Sequence, residues 1–146
     1  MKVLLIILAG CLAMASIPQS ATNKKNNPKS TLSNSPLQNI HWKLVELGGK
    51  EIPGNATAKE MFIVFKNDST VSGNGGCNTF SGMYSLGKNN EISFGEMVRT
   101  NMLCSGVDFE RKYINALSKT DHYKITGDTL SLRNQLVIIA KFIGKK

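Results

Sequence analysis

The sequence predicts a mainly β domain, a small antiparallel barrel or strongly curved sheet with one α-helix at about residues 105–118. Three observations predict it. Short apolar runs with a period of two recur between Gly, Asn and Asp turn signals, as half-buried strands require. The stretch Ser72-Gly73-Asn74-Gly75-Gly76-Cys77-Asn78-Thr79-Phe80-Ser81-Gly82-Met83-Tyr84 places four glycines, a cysteine and two aromatics between apolar runs, a composition no helix tolerates. Only one later segment changes to the helical period.

In chain order, residues 37–48 open the domain as a strand, with Trp42, Leu44 and Leu47 alternating against Lys43 and Glu46. Gly48 and Gly49 turn the chain. Residues 60–66 form a denser strand, and Asn67-Asp68 followed by residues 70–73 reads as its hairpin return. The glycine run is then a tight turn or bulge re-entering a strand at Thr79. Residues 79–86 and 91–94 pair across Gly87-Lys88-Asn89-Asn90, and residues 97–100 continue as a short strand. From Ser105 to Leu117 the period is helical, with Val107, Phe109, Tyr113, Ala116 and Leu117 near one face and Ser105 and Asp108 in a capping arrangement. Strands at 122–126, 129–133 and 136–143 finish the chain, the first two joined by Gly127-Asp128. Trp42, Phe62, Phe65, Phe80, Tyr84, Phe94 and Phe142 are the aromatic core candidates, with a pocket in the barrel mouth as their alternative use.

Ahead of this domain, residues 1–15 have the form of an export signal: Lys2, an apolar run from Val3 to Leu8, then small residues. Pro18, Gln19 and Ser20 end the run before the ~20 apolar residues that a membrane span requires. Leu8-Ala9-Gly10-Cys11 matches the lipobox of bacterial lipoprotein precursors, in which the cysteine receives the lipid; Ala13-Met14-Ala15 is the competing site for ordinary secretion. With lipid on Cys11, the absence of Asp after it resembles outer-membrane sorting, and the membrane becomes the first partner. The alternative location is periplasmic or secreted. Residues 16–36, rich in Ser, Asn, Lys and Thr, are expected to be a disordered tether. Lys2, Lys24, Lys25 and Lys29 carry half of the formal net charge of +8, so residues 37–146 are only mildly basic and no nucleic-acid partner is expected.

Residues 37–142 resemble the META/HslJ family of bacterial envelope proteins. The resemblance rests on Trp42 and Leu44, Phe65, Ser72-Gly73-x-x-Gly76-Cys77-Asn78-x-Phe80-x-Gly82-x-Tyr84, Ile92 and Phe94, Thr100-x-Met102-x-Cys104, Glu110, Leu117 and Leu130-x-Leu132. It implies a lipocalin-like barrel with a helix, commonly behind a lipoprotein signal, with links to stress tolerance and envelope integrity and no established catalytic mechanism. Leu103 departs from the family, which carries a small residue there; a local packing effect is expected.

With Cys11 assigned to lipid or lost with the signal, Cys77 and Cys104 remain as an even pair in the domain. A structural disulfide is the favoured reading, worth about 3.5 kcal/mol by loop entropy. Two buried free thiols, or a thiol activated by His41 or His122, are its rivals. Asn78 is read as bonding backbone groups that the glycine turn leaves unpaired, and Glu110 as favourable charge near a helix start. Two isolated histidines without C-x-x-C or H-x-x-x-H spacing argue against a metal, and the glycine run lacks the Lys-Ser/Thr of a phosphate loop. Gly73, Gly76, Asn78, Gly82 and Tyr84 thus form a structural motif. No cofactor and no catalytic residue is expected; an envelope lipoprotein with a binding, protective or assembly role leads, ahead of a carrier of a small apolar ligand inside the barrel and a thiol-dependent enzyme.

Overall fold

The structure, a computed structural model, describes residues 36–104 and 107–145. The signal with its lipobox at 8–11, the tether through residue 35, and Ser105 of the expected helix cap lie outside the described residues.

The strands are β1 His41–Leu47, β2 Lys50–Glu51, β3 Met61–Phe65, β4 Thr70–Gly75, β5 Thr79–Leu86, β6 Ile92–Phe94, β7 Val98–Arg99, β8 His122–Thr126, β9 Thr129–Asn134 and β10 Val137–Lys145; the helix α1 is Val107–Ser118. Eight of the strands follow one another in the order β6-β5-β4-β3-β1-β10-β9-β8, every neighbour antiparallel. The two ends of that order meet through a single bridge, Glu91 with His122, and the Ile92 N–H donates to the Asp121 carbonyl at 2.9 Å. The sheet is therefore a nearly closed barrel. Register shifts at Leu44/Glu46 in the β1–β10 pairing and at Ile138/Ala140 in the β9–β10 pairing supply bulges that bend the sheet on both sides of β10.

Alternation decides what fills the barrel. Met61, Ile63 and Phe65 of β3, Trp42 and Leu44 of β1, Leu130 and Leu132 of β9, and Ala140 and Phe142 of β10 all point inward and are buried. Ser81, Ser85 and Lys124 face outward and are exposed. An apolar interior with a polar exterior is the inverse of a membrane-spanning barrel. Among the described residues no helix is long and apolar enough to cross a membrane.

Helix α1 touches β4, β1, β10 and β6, strands at separated positions round the sheet, so it lies across one end of the barrel. Its buried face is Glu110, Tyr113 and Leu117. This corrects part of the face expected from hydrophobicity: Tyr113 and Leu117 are buried as expected, but Val107 is exposed, Ala116 is half-buried, and Glu110, a carboxylate with partners on other elements, takes a place on the buried face. Phe62 is likewise not core. It sits on the outer side of β3, stacked on His41 with ring centroids 4.2 Å apart. The two-residue β2, paired with β1, has no signal in the sequence beyond the preceding Gly48-Gly49 turn.

Candidate functional site

The glycine-rich run, expected to turn between a strand ending at Gly73 and one re-entering at Thr79, stays extended two residues further than expected. β4 continues to Gly75, and only Gly76 has a left-handed backbone, with φ of 100°. The other glycines answer to space. Gly73 pairs with Phe80 on β5, and a Cβ there would collide with the Phe62 carbonyl oxygen and the Phe80 ring. A Cβ on Gly75 would lie 2.6 Å from Cγ of Glu110, and one on Gly82 would lie 2.6 Å from Sδ of Met97. Small residues in this run let a ring, a helix and a loop approach the sheet.

The turn itself is held by Asn74, whose Oδ1 accepts from the Gly76 N–H at 2.7 Å, and by the Gly75 N–H donating to the Asn78 carbonyl at 2.8 Å. Asn78 therefore serves another purpose than the one expected of it. Its Oδ1 accepts from the Met102 N–H at 2.7 Å and from Oγ1 of Thr100 at 2.9 Å, while Nδ2 donates to the Met102 carbonyl at 3.2 Å. These bonds fasten the chain between β7 and α1 to the turn. Beside them, Cys77 and Cys104 form a disulfide with Cα atoms 5.9 Å apart.

The network closes on Glu110. Its carboxylate, 1 % exposed, accepts from the Asn78 N–H at 2.8 Å, from Asn78 Nδ2 at 3.1 and 3.2 Å, and from Nη1 of Arg99 at 3.0 Å. A buried carboxylate is tolerated only with a charge partner and donors of this kind. The sequence contained each member, but nothing in it joined residues 32 apart. Tyr84 is a second anchor: its hydroxyl receives Nε2 of Gln38 at 2.7 Å and donates to the Lys66 carbonyl at 2.8 Å, and its ring meets Phe65 edge-on. Leu103, in contrast, is 98 % exposed and packs against nothing that a smaller residue would disturb.

Neither histidine is bonded to Cys77 or Cys104. His41 Nε2 lies 2.9 Å from Oε1 of Glu60, and His122 Nδ1 lies 3.0 Å from Oδ1 of Asp121. Glu60 also receives Lys145 at 2.8 Å and Lys43 at 3.3 Å, and the Lys145 bond above all, with those of His41 and Lys43, holds its carboxyl at about 2 against some burial. Asp121 accepts the Gln135 N–H and pairs with His122, which keep it below the ordinary aspartate range. Among the described residues no group of three or more His, Cys, Asp or Glu converges as metal ligands would.

The barrel interior is occupied by protein. Trp42, Ile63, Phe65, Tyr113, Leu130, Leu132 and Phe142 have no exposure, with Tyr113 set against Phe80 and Phe142 at 5.7 and 6.0 Å between ring centroids. Clefts of about 400–560 Å³ among the described residues open on the surface and not into this interior.

A small, side-chain-filled antiparallel barrel closed by one helix, with a disulfide and a buried Asn–Glu–Arg network at the joint, defines a class of compact β domains in which the signature residues are structural. The META domain family model matches residues 35–142, and the chain belongs to that family. Two solved structures share the fold. One, an NMR structure of a protein from Burkholderia xenovorans, is 23% identical with a TM-score of 0.62, over 75% of this chain and 84% of its own; the other, also an NMR structure, is 21% identical with a TM-score of 0.57, over 73% and 89%. No curated protein matches the chain.

Proposed function

We propose that this chain is a non-enzymatic lipoprotein of the cell envelope, carried by lipid on Cys11 to the outer membrane, whose META domain has a binding, protective or assembly role linked to stress tolerance. The observation that carries the proposal is Leu8-Ala9-Gly10-Cys11 directly behind an apolar run. The Cys77–Cys104 disulfide supports it, because such bridges persist in oxidising compartments. Against an enzyme stand the cysteines bound to each other, the histidines engaged with Glu60 and Asp121, and a Glu110 already supplied with donors. A ligand carried inside the barrel would require the space that Trp42, Phe65 and Phe142 fill.

Mass spectrometry of the mature protein from membrane and soluble fractions tests the proposal. The expected result is a membrane-borne chain beginning at a lipidated Cys11, its remaining cysteines two hydrogens short of the reduced form. A soluble chain beginning at Ser16 would overturn the anchor.

A further inference from the structure

Outside the barrel, the flank of α1, the turn after β1 and the start of β10 enclose a cleft of about 560 Å³, within the ~300–1,000 Å³ that small-molecule sites occupy. Its floor is apolar: Leu47, Ala116, Val137 and Ile139. At its outer edge, where β10 begins, Val137 is 65 % exposed. Folding leaves these side chains in water, at a cost that a ligand would remove.

The rim is cationic. Lys50, Lys112 and Lys119 line the cleft and no acidic residue does. Among the described residues none of the three forms a salt bridge, whereas Lys43, Lys141 and Lys145 each pair with a carboxylate. Lys112 instead lies over the Phe109 ring, 5.9 Å from its centroid. A purely apolar ligand would gain nothing from three ammonium groups that have no carboxylate partner among the described residues. A bare inorganic anion would gain nothing from the floor.

The geometry points to an anionic amphiphile as the occupant: a free, single-chain lipid whose hydrocarbon lies on Leu47, Ala116, Val137 and Ile139 and whose phosphate or carboxylate head meets Lys50, Lys112 and Lys119. The site is separate from the barrel interior and does not depend on the lipid anchor. Lysines suit this role, since a flexible ammonium meets either head group as a point charge.

Titration of the isotope-labelled full chain with decyl phosphate, decanoate and neutral decyl maltoside, all below their micelle thresholds, tests the site. Both anions should shift the amides of Ala116, Val137 and Ile139 saturably, with decyl maltoside much weaker. The triple variant Lys50→Glu, Lys112→Glu, Lys119→Glu should weaken the anions by about tenfold, the sum of three exposed ion pairs. Val137→Asp, at an exposed position, should weaken them independently, and the near-ultraviolet spectrum of buried Trp42 and Tyr113 verifies that each variant is folded. Equal binding of the neutral probe, shifts confined to residues outside the cleft, indifference to charge reversal, or association only with anionic vesicles would each overturn the proposal.

Discussion

At Asn78 one side chain joins three pieces of chain that are remote in sequence: the turn between β4 and β5, the segment around Met102, and α1 through Glu110. Asn78→Ala would strand the Met102 backbone N–H and carbonyl and remove a donor from a buried carboxylate. Unfolding in urea, followed by Trp42 fluorescence, should show a loss of about 2–4 kcal/mol, since each buried group left unpaired costs ~1–3 kcal/mol. A loss below about 1 kcal/mol would mean that the network carries little stability. Glu60 makes a prediction about pH. Its carboxyl is held at about 2 instead of 4.5, so the folded state binds this proton less readily than the unfolded chain; the stability it contributes is present above pH 4.5 and is lost as pH falls toward 2. The effect is modest because the cluster is partly exposed. Glu60→Gln should flatten the acid limb of a stability-against-pH curve, and an unchanged limb would assign it to other carboxylates. Sequence reading identified Asn78 and Glu110 as noteworthy but assigned each a local role, because local spacing has no term for a bond between a turn and a helix 32 residues away.

For single elements, the clearest lesson comes from α1 and β4. The helical period makes α1 legible in the sequence, with Tyr113 and Leu117 on the expected face, but a hydrophobicity pattern scores Glu110 as solvent-facing because it has no term for Arg99 and Asn78. The sequence pattern ends β4 at Gly73 and not at Gly75 for the complementary reason: glycine lowers strand propensity, but Phe80, Glu110 and the Phe62 carbonyl leave no room for a Cβ. Tyr113, at the centre of the helix's buried face, has a hydroxyl with no hydrogen-bond partner among the described residues, and burial pushes its pKa well above the ordinary tyrosine value. Removing that hydroxyl removes an unsatisfied polar group while keeping the ring against Phe80 and Phe142. Tyr113→Phe should therefore leave stability unchanged or raise it by up to about 1 kcal/mol. A clear loss in thermal unfolding would reveal a partner for the hydroxyl, such as a buried water.

Over the whole molecule, the barrel is fastened unequally. β1 and β10, the first and last strands of the domain, share a long ladder, and β10 has another of equal length with β9, whereas the seam between β6 and β8 has one bridge and the Ile92–Asp121 hydrogen bond. Amide hydrogen exchange should be slowest in β1 and β10 and much faster at Ile92 and around His122, because local opening follows the number of bonds that must break. Uniform protection round the barrel would show a seam as strong as the ladders. Reducing the disulfide should lower global stability by about 3.5 kcal/mol, the chain-entropy value for its loop of 27 residues' separation, measurable as a lower urea midpoint in reductant. The sequence by itself determined the class of fold, nearly every strand, the single helix and the family, since alternation, turn residues and the glycine–cysteine signature are local and survive without contacts. Contacts in the folded chain settle that the barrel is filled, that Glu110 is buried with Arg99 and Asn78, and that three lysines without a carboxylate partner among the described residues border an apolar cleft. These properties depend on which side chains meet across the closed sheet, and closure brings together residues that no local pattern relates.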